Sequence, residues 1–248
     1  MSRNNVVSTG GAWLTDTGSL PSRAVADLYV TPRSAVDVAY EFLKEQAPEF
    51  VCKDVLENRG SRNWHLLDLG AGPGVWGEAA RARWPSAFIH GVELRSVSAN
   101  PAYNEWSTMD MQEWQAYYAD ARIRPFDLVV GNPPYSLDEE AVRIGLERLR
   151  DGGWALFLLP ITFLTSQSRR DGLFKEYPLY AYAQYSQRIS WTDNGKTPPR
   201  DHGLYLFRRG WSGSWTGHFL PNTTNRASRF DETRAAPINC ERDTLNIL

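Results

Sequence analysis

The stretch LLDLGAGPG at residues 66–74 constrains the fold more than any other part of the chain. A short apolar run closes on Asp68 and Leu69, and three glycines at alternate positions then break it before the helical pattern of residues 75–84 begins. Apolar residues bounded by glycine and proline read as a buried strand, and glycines let a backbone turn tightly and approach a ligand without Cβ interference. The unit predicted is strand, glycine-rich turn, helix.

The rest of the chain repeats that alternation. Residues 88–94, 126–130 and 154–159 are further short apolar strands separated by helical stretches, which implies an α/β fold with a doubly wound, mostly parallel sheet and helices on both faces. Residues 179–189 and 203–208 read as closing strands, one of them antiparallel, with a Gly- and Pro-containing loop at residues 190–202 between them. Ahead of the first strand, Thr31 is placed to cap a helix whose first residue is Pro32, with Ala35, Val36, Val38, Ala39, Phe42 and Leu43 as its apolar face. At 248 residues the chain fits one domain, set at residues 24–221, with a loose arm or lid at residues 1–23 and a polar tail at residues 222–248.

Composition excludes several classes. No apolar run approaches the roughly 18 residues of a membrane span, and the N-terminal sequence lacks a secretory pattern, so a cytoplasmic location is expected. Cys52 and Cys240 are expected to be free thiols. The scattered His65, His90, His202 and His218 give no metal-ligand spacing, so no metal is expected. A net charge of −2 does not mark a nucleic-acid binder, although Arg169, Arg170, Arg188, Arg200, Arg208 and Arg209 crowd the C-terminal half, as a phosphate-contacting patch or a solvated surface.

Three features follow the glycine turn in order. Glu93 ends the next strand about 20 residues on, where a carboxylate in this type of fold accepts ribose hydroxyls, and Leu94 follows it. Asp110 and Met111 lie in STMDM. Then DLVVGNPPY places Asn132 directly after a strand, at the end of the sheet where α/β folds bind ligands, with Pro133 and Pro134 fixing its backbone. An amino group on a heteroaromatic ring is a poor nucleophile, because its lone pair is delocalised. The Asn132 side-chain oxygen and the Pro133 carbonyl can accept its two N–H groups and localise that lone pair, while Tyr135 stacks on the ring.

LLDLGAGPG, Glu93-Leu94 and Asp110-Met111 resemble the first three motifs of class I S-adenosylmethionine-dependent methyltransferases, and Asn-Pro-Pro-Tyr resembles the fourth motif of those that methylate amino groups. The resemblance implies S-adenosyl-L-methionine as cofactor. Gly70, Gly72 and Gly74 would shape the turn beneath its amino-acid part and Asp68 would organise it, Glu93 would bind its ribose, Asp110 its adenine amino group, and Leu94 would pack on adenine, with Ala71, Met111 and Asn132 also among the cofactor-binding residues. It makes Asn132, Pro133, Pro134 and Tyr135 the catalytic residues.

The motif itself does not separate adenine, cytosine, guanine or a glutamine amide. The segment around Thr31 and Pro32 resembles the additional cofactor motif of DNA adenine enzymes, and residues 187–208 resemble the loop and closing strand of small phage-type DNA adenine-N6 methyltransferases. DNA is therefore the favoured partner, with RNA second. A base in a duplex must be flipped into a pocket, with Trp191, or in reserve Phe163, facing Tyr135 across it. The alternatives are an RNA or protein-glutamine methyltransferase and a non-catalytic cofactor-binding subunit of a complex. About 110 residues follow the catalytic motif, too few for a sizeable separate recognition domain, so specificity is expected to be short or relaxed. Recognition sequence and oligomeric state are not legible.

Overall fold

The computed structural model describes residues 30–50, 64–119, 124–191, 201–221. The arm and tail, Cys52, Cys240, Arg200 and most of the expected loop at residues 190–202 lie outside them.

Among the described residues eight strands form one sheet: β1 (His65–Leu69), β2 (Phe88–Glu93), β3 (Glu105–Thr108), β4 (Phe126–Gly131), β5 (Leu149–Pro160), β6 (Leu179–Tyr185), β7 (His202–Arg208) and β8 (Thr216–Leu220). Their order is β3-β2-β1-β4-β5-β7-β6-β8. β7 runs antiparallel to both of its neighbours, β5 and β6, and the other pairings are parallel. The expected doubly wound sheet with an antiparallel closing strand is therefore present.

Ahead of β1 lies α1 (Arg33–Gln46), and between the strands lie α2 (Val75–Arg83), α3 (Met111–Tyr117), α4 (Asp138–Arg148), α5 (Gln167–Asp171) and α6 (Leu173–Glu176). The helices cover both faces, and alternate residues of each strand feed two cores. Leu66, Ile89, Leu128, Val130 and Leu156 pack with α1 and α2, whereas Leu67, Val92, Val129, Ala155 and Phe157 pack with α3 and α4. Such double burial explains why β1 and β4 read as continuous apolar runs rather than alternating ones.

Two strands escaped the sequence. β3 is half exposed and β8 mostly exposed, so neither carries the apolar run that marked the others. The start of α1 also differs from expectation. Pro32, not Thr31, is its N-cap; Pro32 has extended backbone (φ −60°, ψ 138°), and among the described residues no side-chain cap bond is made. The Pro32 carbonyl takes the first bonds, from Ala35 and Val36 N–H. The Thr31 hydroxyl is engaged elsewhere, at the end of β4.

Candidate cofactor and catalytic site

The strand order reverses between β1 and β4, the place where open α/β sheets bind ligands. Both motifs sit there, at adjacent carboxyl ends. Gly131 brings the two backbones so close that a Cβ on it would lie 2.5 Å from the Leu69 carbonyl oxygen. Gly70 faces the second motif directly, since a Cβ there would lie 3.4 Å from the Pro133 Cα. The topology thus unites segments some sixty residues apart in sequence.

After β1, Gly70, Gly72 and Gly74 all take positive φ (73°, 55° and 98°), which L side chains rarely adopt. Gly70 and Ala71 N–H both donate to the Val92 carbonyl, and Gly72 N–H donates to Glu93 Oε2 at 2.8 Å. Glu93, 4% exposed, accepts at Oε1 from the Arg95 backbone N–H and forms an ion pair with the Arg95 guanidinium, Nε to Oε1 2.9 Å. Its carboxylate is thereby fixed against the turn. The space a Cβ of Gly72 would occupy is open. On the neighbouring rim, Leu94 is 45% exposed, Met111 is buried, and Asp110 caps α3 by accepting from Gln112 N–H. A cradle of bent backbone, a held carboxylate and an exposed aliphatic side chain fits a nucleoside with an attached amino-acid chain.

Asp68 lies fully buried beneath this turn. Its Oδ2 accepts from the Tyr103 hydroxyl at 2.5 Å, and among the described residues Oδ1 has no hydrogen-bond partner. Burial pushes its pKa up to about 7, against the lowering effect of the Tyr103 hydrogen bond and with a smaller rise from Glu93. Tyr103 in turn accepts from Gly77 N–H at 3.0 Å. Gly77 and Gly91 both make room for its ring, since a Cβ on either would strike it. Nothing in the spacing around Tyr103 announced this role; the lack of side chains at Gly77 and Gly91 was the available sign.

At the end of β4, Asn132 Nδ2 donates to the Thr31 hydroxyl oxygen at 3.1 Å. Its Oδ1 is shielded from solvent and has no hydrogen-bond partner among the described residues. A buried acceptor left unmatched costs on the order of 1–3 kcal/mol and calls for an explanation, for which a ligand's N–H is the natural candidate. Pro133 is buried behind it and Pro134 half-buried. Tyr135 opens a short 3-10 turn, and its hydroxyl lies 2.7 Å from His202 Nε2.

The two aromatic candidates are placed differently. Trp191, 3% exposed, meets the His202 ring edge-on at 5.0 Å, so it reaches Tyr135 through His202 rather than facing it across open space. Phe163 is fully buried between Phe174 and Tyr205, with the Arg169 guanidinium 4.6 Å above its ring. The arginines do not form one face. Arg188 pairs with Asp201 and Arg170 with Asp171, whereas Arg208 and Arg209, at the far end of β7, lie on the opposite rim from Asn132.

No family model matches the chain. It superposes on a Listeria monocytogenes protein assigned to the class I S-adenosylmethionine-dependent methyltransferases, with a TM-score of 0.53 and 13% identity over 81% of this chain and 67% of that one. It also superposes on a component of a type I R-M system, with a TM-score of 0.52 and 16% identity over 81% of this chain and 46% of the other. The chain has the class I methyltransferase fold. In sequence, a 110-residue stretch is 32% identical to the release factor glutamine methyltransferase of Rhodospirillum rubrum, covering 40% of this chain. The chain spans about a third (33%) of that relative's length. Among the described residues no helix is long and apolar enough to cross a membrane, and no three His, Cys, Asp or Glu residues are grouped to hold a metal ion.

Proposed function

We propose that this chain is an S-adenosylmethionine-dependent methyltransferase acting on an exocyclic amino nitrogen, N6 of adenine in DNA, with the base flipped out of the duplex. One observation carries the proposal: the buried, unmatched Oδ1 of Asn132 at the carboxyl rim of β4, held in place by the bond from its own Nδ2 to Thr31. When bound over the glycine turn, S-adenosyl-L-methionine supplies a methyl group on a positively charged sulfur. Glu93 holds the ribose side of the cradle, Asp110 and Leu94 the base side, and Asp68 the amino-acid side.

Asn132 accepts one N–H of the target amino group through Oδ1, and the Pro133 carbonyl accepts the other. Two acceptors so placed favour a pyramidal nitrogen whose lone pair leaves the ring π-system, and the rigid Pro133-Pro134 backbone holds them there before substrate arrives. Tyr135 stacks on the base. The nitrogen becomes acidic as it gains the methyl group, so water suffices as the proton acceptor.

DNA is favoured by the contact between Thr31 and Asn132, which joins the segment resembling the additional cofactor motif of DNA adenine enzymes to the catalytic motif. A second reading is a protein-glutamine methyltransferase, favoured by the 32% identity to the release factor enzyme. A glutamine amide also presents two N–H groups on a planar carbon. Incubation with labelled cofactor and equal amounts of duplex DNA, RNA and release-factor peptide, followed by mass spectrometry of nucleosides and peptides, separates them. N6-methyladenine from DNA is expected; label confined to peptide glutamine or to RNA overturns the DNA assignment.

A further inference from the structure

His202 lies in the segment at residues 187–208, where sequence alone assigns it no role of its own, yet it stands beside the catalytic rim. The reason is topological. Parallel strands place their last residues at that rim, but β7 runs the other way, so its first residue arrives there, opposite Pro160 at the end of β5. His202 is held by backbone and side chain alike. Ile161 N–H donates to the Asp201 carbonyl, Gln184 Nε2 donates to the His202 carbonyl, and the ring packs edge-on against Trp191. At 3% exposure it has little room to turn. Its Nε2 lies 2.7 Å from the Tyr135 hydroxyl, and the two rings are tilted by 41° with centroids 5.4 Å apart.

We propose that His202 is a positioning residue for substrate recognition, which fixes the plane of the Tyr135 ring by hydrogen-bonding its hydroxyl while Trp191 braces the imidazole from behind. The inference rests on the reading of Tyr135 as the stacking platform. An aromatic side chain has two torsions that place its ring; packing within a half-exposed turn limits them loosely, whereas a hydrogen bond at the far end of the ring fixes both. A platform already set in the stacking plane loses less freedom when a base lands on it. Stacking is made in the ground state and the transition state alike, so its loss raises KM and leaves kcat nearly unchanged. Trp191 thus serves recognition indirectly, behind the imidazole.

The test measures methyl transfer to duplex DNA by His202→Ala, His202→Gln, Tyr135→Phe, Tyr135→Ala and the His202→Ala/Tyr135→Phe double variant, with the affinity for S-adenosylhomocysteine as the check that each retains its fold. His202→Ala and Tyr135→Phe are each expected to raise KM about three- to tenfold, the worth of one hydrogen bond. His202→Gln, whose amide still reaches the hydroxyl, is expected to restore most of the loss. The double variant is expected to be no worse than the poorer single one, because both remove the same bond. Additive effects, or wild-type KM in a folded His202→Ala, overturn the proposal. Tyr135→Ala separates the failures. If it leaves KM unchanged, the stacking role itself falls and His202's role with it; if it raises KM while His202→Ala does not, His202's role alone falls.

Discussion

Replacing Thr31 by valine removes one hydroxyl and little else, since the two side chains have nearly the same shape. Thr31 is buried, and its oxygen is the acceptor for Asn132 Nδ2 at 3.1 Å. A hydrogen bond of this kind has a net worth of about 0.5–1.5 kcal/mol, so the anchored amide orientation outweighs the rotated one by about two- to twelvefold. Without the anchor, an amide turned by half a revolution presents N–H groups where the target amino group needs an acceptor. If the two orientations become equal, half of the molecules are inactive. If the freed N–H finds a partner in the rotated state, the loss grows toward tenfold. Thr31→Val should therefore lower kcat/KM about two- to tenfold, and Thr31→Ser should stay near wild type. Steady-state methyl transfer measures this, alongside the dissociation constant for the cofactor. The anchoring role requires that cofactor affinity change by less than about twofold. A loss in rate matched by an equal loss in cofactor affinity would refute it, leaving Thr31 to act through the cofactor as its motif resemblance implies.

Three further outcomes follow from the geometry. Asp68, with its pKa raised to about 7 by burial, holds a proton below that value that a cationic cofactor must displace. Cofactor affinity should fall by up to about tenfold per unit as pH drops from 7 to 5.5, and level off above 7. Tyr103→Phe removes a bond that lowers this pKa and should move the midpoint upward; titration of affinity against pH tests both, and a flat wild-type profile below 7 contradicts the role given to Asp68. Gly131→Ala sets a Cβ 2.5 Å from a backbone oxygen of β1 and should destabilise the fold by about 3 kcal/mol, read from urea unfolding. An unchanged midpoint would mean that the two strands part at little cost.

The central sheet was legible because its strands are buried on both faces, so that residues such as Leu66, Leu67, Leu128 and Val129 form runs rather than alternations. β3 and β8 were not, because a half-exposed edge strand leaves no such run. The glycine turn and the Asn-Pro-Pro-Tyr segment were legible as backbone chemistry: positive φ selects glycine, and successive prolines fix an extended path. Side-chain partners across the sheet were beyond reach. Tyr103 meets Asp68 at a separation of 35 positions, and His202 meets Tyr135 at a separation of 67, through a strand reversal that no local pattern encodes. Thr31 shows how a local rule yields to a distant demand. Its place before Pro32 suits a helix cap, yet its hydroxyl serves Asn132, 101 positions away.

The central claim is that the Asn132 oxygen accepts the target amino group, and Asn132→Ala tests it most directly when methyl transfer and cofactor affinity are measured on the same preparation. Loss of one such acceptor should cost about 10²–10³ in kcat, with the dissociation constant for the cofactor altered by less than about threefold. Transfer at the wild-type rate by the folded variant would contradict the account.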